Sequence, residues 1–164
     1  MLRDKNLVPL SRQHQHALAL CVRIHRASLS TAAERTAWQS EIQQHFEQEI
    51  QHHFTAEEAH LFPAARRHPD LVQLVDELLA EHSRLREYFA QAAARALDRR
   101  SLGQFADTLS AHIRKEERQL FEALQTAMTP EELHSIGALV EEAFARLPQA
   151  CIVPTESTMK SPHA

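Results

Sequence analysis

The sequence predicts an all-α protein, an up-down-up-down four-helix bundle with an extra short C-terminal helix. Three observations lead there. Ala, Leu, Glu, Gln and Arg dominate a chain with only two glycines, and all five are good helix formers. Apolar residues recur at steps of three and four over windows far longer than a strand. Capping signals divide the chain into segments joined by short connections, which turns consecutive long helices antiparallel. The 164 residues suffice for one core, so residues 1–147 read as one domain and 148–164 as a flexible tail.

Each helix has its own start signal. The first, residues 10–28, begins near Ser11, after Pro9. The second, 32–62, opens on Thr31-Ala32-Ala33-Glu34, a capping box, and Pro63 should end or bend it. The third, 69–98, opens on His68-Pro69-Asp70, with proline at the first helical position. The fourth, 102–127, follows a second box from Ser101 to Gln104. The fifth, 130–147, follows a third box from Thr129 to Glu132, with Pro130 leading. Its apolar side, Leu133, Ile136, Val140, Phe144 and Leu147, is expected either to cap the bundle or to form a homodimer face. From Pro148 on, three prolines and no periodicity predict a mobile tail.

Composition removes several function classes. A net charge of −4 and the lack of a basic stripe argue against nucleic acid. No run of 18 apolar residues predicts a membrane span. Cys21 and Cys151 form no CxxC pair and read as reduced thiols, and Met1 to Lys5 lead into no apolar segment, so a cytoplasmic location is expected. There is no glycine-rich phosphate loop and no serine elbow. What stands out is twelve histidines.

Two of them open a repeat. Residues 53–62 read HFTAEEAHLF, and 59 positions later residues 112–121 read HIRKEERQLF. Both copies lie on a buried stripe. In the second helix Ile42, Phe46, Ile50, His53, Glu57 and Leu61 follow steps of 4, 4, 3, 4 and 4. In the fourth, Phe105, Leu109, His112, Glu116, Leu120 and Leu124 keep the same rhythm. His82 sits at the centre of the third helix's stripe, and His14 shares a face with Ala17, Leu18, Cys21 and Ile24 in the first. A buried carboxylate without a partner costs several kcal/mol, so two of them among four imidazoles call for cations. A pair of divalent metals suits nitrogen and carboxylate donors, with iron, manganese and zinc all in range. The i,i+4 step turns only about 40° round the helix, so His and Glu face the axis one turn apart. On the same α-helical geometry Glu58 and Glu117 lie about 140° from their histidines and should face solvent or the helix flank. Gln13, Glu49 and Glu81 are candidates to orient the histidines, and His60 falls on the site's face. Tyr88 is a packing residue that could lend a hydrogen bond.

At these residues the chain resembles the hemerythrin-like family of HHE cation-binding bundles. The resemblance spans about residues 8–127 and rests on Pro9-Leu10-Ser11-Arg12-Gln13-His14, His53 to Pro63, Glu81-His82-Ser83-Arg84-Leu85 and His112 to Glu116. It implies a non-haem di-iron centre bridged by carboxylates and an oxygen species, carried by His14, His53, Glu57, His82, His112 and Glu116. The oxygen-carrying members have a further His one turn after the third-helix ligand, where this chain has Arg86. They also have an Asp five residues after the last His, where it has Glu117. The pattern is thus nearer the sensor, peroxide-handling and repair branches. The expected function is a di-iron protein that binds or reacts with O2, NO or peroxide, or handles iron. Two alternatives stand beside it: a metal-dependent sensory or interaction module without turnover, and a ferritin-like iron oxidase using Glu57-x-x-His60 and Glu131-x-x-His134.

Overall fold

The computed structural model describes residues 2–145, and every regular element among them is helical. Helix α1 is Val8–Arg26. Helix α2 runs without a break over residues 32–65, α3 is Val72–Ala93, α4 covers residues 99–127 and α5 is Pro130–Ala145. A 3₁₀ turn, Pro69–Leu71, leads into α3. The expected tail, Leu147 and Cys151 lie outside the described residues.

The caps at α2 and α5 form as expected. Thr31 Oγ1 accepts from the Glu34 N–H at 3.1 Å while the Glu34 carboxylate accepts from Thr31 N–H at 2.9 Å. Thr129 and Glu132 repeat this at 3.2 and 3.0 Å. Helix α1 starts at Val8, with Pro9 inside its first turn, and ends at Arg26, two residues ahead of the expected 10–28 at both ends, and three further boundaries differ. The cap of α4 is Asp98, which accepts from Ser101 N–H at 2.7 Å, so the helix starts at Arg99 and Ser101 lies inside it. Helix α3 ends at Ala93, short of 98, because Arg95 turns left-handed (φ 58°). Pro63 does not end α2. It lies in the first turn after a π-turn, Glu57–Leu61, a place where its missing N–H costs least.

The core is two apolar layers with a polar layer between them. One holds Leu20, Ile24, Trp38, Ile42, Phe89 and Phe105. The other holds Leu10, Leu61, Phe62, Val75, Leu78, Phe121 and Leu124. Along the chain α1 and α3 pass from the second layer to the first, and α2 and α4 pass back. His14, His53, Glu57, His82, His112 and Glu116 fall at the crossings and are buried. Leu133, Ile136 and Val140 of α5 are buried in the second layer. Gly137 allows that close seat. A Cβ there would stand 2.7 Å from Asn6 Cβ.

Candidate metal centre

The six candidate ligands come from four separate helices and meet in two groups. His14, His53, Glu57 and Glu116 form one, and Glu57, His82, His112 and Glu116 form the other, with donor atoms in each within 4.8 Å of one another. The carboxylates belong to both. Glu57 places Oε1 3.2 Å from His53 Nε2 and Oε2 3.4 Å from His82 Nε2. Glu116 places Oε2 3.1 Å from His14 Nε2 and Oε1 3.4 Å from His112 Nε2. Each glutamate thus gives one oxygen to each group. The Nε2 atoms of His14 and His53 stand 3.0 Å apart, and those of His82 and His112 3.1 Å apart.

These distances fit a pair of ions. Two nitrogens each about 2.1 Å from one metal, and about 90° apart, stand about 3.0 Å from each other. All four oxygens of Glu57 and Glu116 are buried without a hydrogen-bond partner, which a chain tolerates only where something else neutralises them. A family model described as the hemerythrin HHE cation-binding domain matches residues 8–142. The chain belongs to that family. No match was found among curated proteins or among solved structures. The hemerythrin domain is a metal-binding fold, and the two His/Glu groups are where this one could hold its ions.

In this hemerythrin domain the outer nitrogen of every candidate histidine is held. His14 Nδ1 lies 2.7 Å from Glu117 Oε1, and His82 Nδ1 lies 2.8 Å from Glu58 Oε1. His53 Nδ1 lies 2.8 Å from Gln13 Oε1, and His112 Nδ1 lies 2.9 Å from Glu81 Oε2. A carboxylate or amide oxygen can only accept, so these contacts put a proton on Nδ1, and each ring in its neutral form turns the Nε2 lone pair inward. Each glutamate is backed by a cation. Arg3 binds Glu117 at 2.7 Å, Arg86 binds Glu58 at 2.8 Å, and Lys115 binds Glu81.

Charge follows from this packing. Burial raises the carboxyl pKa of Glu58, Glu81 and Glu117, but Arg86 and His82 beside the first, His112 and Lys115 beside the second, and His14 and Arg3 beside the third outweigh it and leave all three lowered. Burial also works against a charged His14, yet the Glu116 and Glu117 carboxylates lift its pKa to about 10. His82 is raised in the same way by Glu57 and Glu116, again against burial. Burial would raise Glu57, and His53 and His82 beside it hold it well below the usual carboxylate range. Without an ion, the site attracts protons in its place.

Glu58 and Glu117 overturn their expected placement. Both histidine-glutamate repeats run into a π-turn, Glu57–Leu61 and Glu116–Leu120, again 59 residues apart. A π-turn has i→i+5 hydrogen bonds and more residues per turn than an α-helix, so each side chain advances by less than 100°. That swings the second glutamate of each pair back toward the bundle and onto a histidine. The signal was in the sequence: the Glu-Glu pair is doubled along with the histidine. The same underwinding carries His60 off the site's face into a surface groove shared with Glu131, and neither residue joins the metal groups. Glu49 pairs with His16 at 2.9 Å rather than with a candidate ligand. Tyr88 packs edge-on against Phe105 in the first apolar layer.

Aromatic rings wall the layer. Phe54 stacks on His82 with centroids 3.7 Å apart, Phe121 on His14 at 5.5 Å, and Phe144 of α5 on His53 at 6.3 Å. On one side a cavity of about 20 Å³, room for roughly one water-sized molecule, touches His14, His53, His112 and Glu116 and is otherwise lined mainly by Ala17, Ile50, Phe54, Leu109 and Ile113.

Proposed function

We propose that the protein carries two iron ions on His14, His53, Glu57, His82, His112 and Glu116, and that the pair binds or reacts with O2, NO or peroxide. The observation that carries this is the division of each carboxylate, one oxygen to each histidine pair. That arrangement would let each glutamate serve both ions. Imidazole nitrogen and carboxylate oxygen donors suit iron, with manganese and zinc also in range. The donors are all nitrogen and oxygen, with no thiolate. Each ion would have two imidazoles and two carboxylate oxygens of this chain to hold it.

A reduced iron pair supplies electrons and open positions to a small oxidant. The chain does the rest. Glu58, Glu81, Glu117 and Gln13 fix the histidine rings. Phe54, Phe121 and the apolar layers keep out bulk water, which strengthens electrostatic contacts inside. The small apolar cavity admits a diatomic molecule and little more. We read the rods as alternating up and down, on the strength of the alternating apolar layers, and residues 1–147 as one domain. No described helix is long and apolar enough to cross a membrane. Cys21 is free and buried, which suits a reducing cytoplasm.

The test is metal analysis with a visible spectrum. Protein loaded anaerobically with ferrous iron should retain about two ions and gain azide-sensitive bands on oxidation. His53→Ala and His112→Ala should each bleach them. Stoichiometric zinc with no response to O2, NO or peroxide would overturn the reading in favour of a module that uses metal as a pin.

A further inference from the structure

The site has a near two-fold pattern with one break. His14 matches His82 and His53 matches His112. Glu117 matches Glu58, and both carry arginines. The remaining partners are not alike. His112 gives its Nδ1 proton to the Glu81 carboxylate, whereas His53 gives its own to the neutral amide oxygen of Gln13, at nearly the same distance. A carboxylate on the outer nitrogen raises the basicity of the inner one, and an amide does so far less. Lys115 offsets the charge of Glu81, but it stands one contact farther out and is a quarter exposed, so the carboxylate touching the ring sets its donor strength. A second observation falls on the same side. The apolar cavity touches both His14 and His53, and Gln13 lines it, while of the other pair it reaches only His112.

We propose that Gln13 makes the two metal positions unequal: the His14/His53 position holds its ion more weakly and takes the incoming small ligand, and the His82/His112 position holds its ion tightly and fills first. This rests on the metal-centre reading above. Gln13 is a positioning residue that acts through His53, and Glu81 is its counterpart through His112. The gap between the positions follows from one atom, oxygen or nitrogen, at the end of residue 13.

Metal-free protein titrated with Co(II) reads this directly, by visible absorption and by calorimetry, with circular dichroism as the check on folding. The wild type should take two equivalents in separate steps at least tenfold apart, the size of effect such hydrogen-bond partners have on metal affinity. Azide should shift the spectrum of the second equivalent and not the first. Gln13→Glu should tighten the second step by about tenfold or more and leave the first. Glu81→Gln should weaken the first step by a similar factor and spare the second. Both exchanges keep side-chain shape, and Gln13→Glu decides the matter even where Glu81→Gln folds poorly. Two equal steps in the wild type, or a gap that Gln13→Glu leaves unchanged, overturn the inequality while keeping the metal centre. No Co(II) binding at all overturns both.

Discussion

Two regions of the bundle bury glutamate and treat it in opposite ways. Glu41, in the first apolar layer's half of α2, is 1% exposed, and Arg23 of α1 grips both its oxygens. Arg23 in turn lies over the Trp38 ring. Glu57 and Glu116 are 0% exposed, and among the described residues no lysine or arginine pairs with either. Their nearest polar neighbours are the inner nitrogens of His14, His53, His82 and His112. A buried carboxylate with its own guanidinium is a finished structural unit. Two without one depend on countercharge that no lysine or arginine beside them supplies, protons on the neighbouring imidazoles or a bound cation. Burial alone does not separate the two cases; the origin of the countercharge does.

The comparison breaks most sharply at Glu57. Glu57→Ala should drop metal content from about two ions to one or none, because the residue serves both positions, while the metal-free protein melts no lower than wild type. Elemental analysis and thermal melts with and without chelator check both halves. Chelation comes next. Metal at about a thousand times its Kd should add about 4 kcal/mol to stability, and a chelator should remove it. Arg23→Ala should do the reverse of Glu57→Ala. It strands Glu41 and should cost about 2–4 kcal/mol in urea unfolding with metal stoichiometry intact. A loss of metal in that variant would erase the distinction. Glu58→Gln should weaken metal binding about tenfold to a hundredfold without unfolding the bundle, since Arg86 and His82 lose only a charge.

Acidity sharpens the same contrast. In the metal-free chain His14 has a raised pKa of about 10, so its stabilising share is fully present below its unfolded value near 6.5 and fades as pH rises through about 10. Metal takes only the neutral ring, so loading near pH 7.5 should release protons and affinity should fall as pH falls. Calorimetry in buffers of different ionisation heat reads the protons released. Zero release would mean that His14 is not displaced from its proton by the ion.

Much of this is legible in the sequence. The repeat at an offset of 59 marked Glu57 and Glu116 because an acid on an apolar stripe needs a reason. Gln13 and Glu81 could be named because each precedes a histidine, His14 or His82. The sequence places Glu58 and Glu117 on the helix flank because a fixed 100° step does not anticipate a π-turn. Arg3 and Lys115 could not be found at all, since Arg3 lies 114 residues from the glutamate it binds. Glu41 left no trace either: its identity as a buried group depends on where Arg23 happens to pass.

By itself the sequence determined the helices, their buried stripes and which acids and imidazoles face inward, because spacing along a rod is a local property of 3.6 residues per turn. Tertiary structure alone decided which oxygen meets which nitrogen, which buried acid brings its own cation and which histidine rests on an amide. Those outcomes depend on ångström-scale approach between different rods, and no spacing within a single rod contains that information.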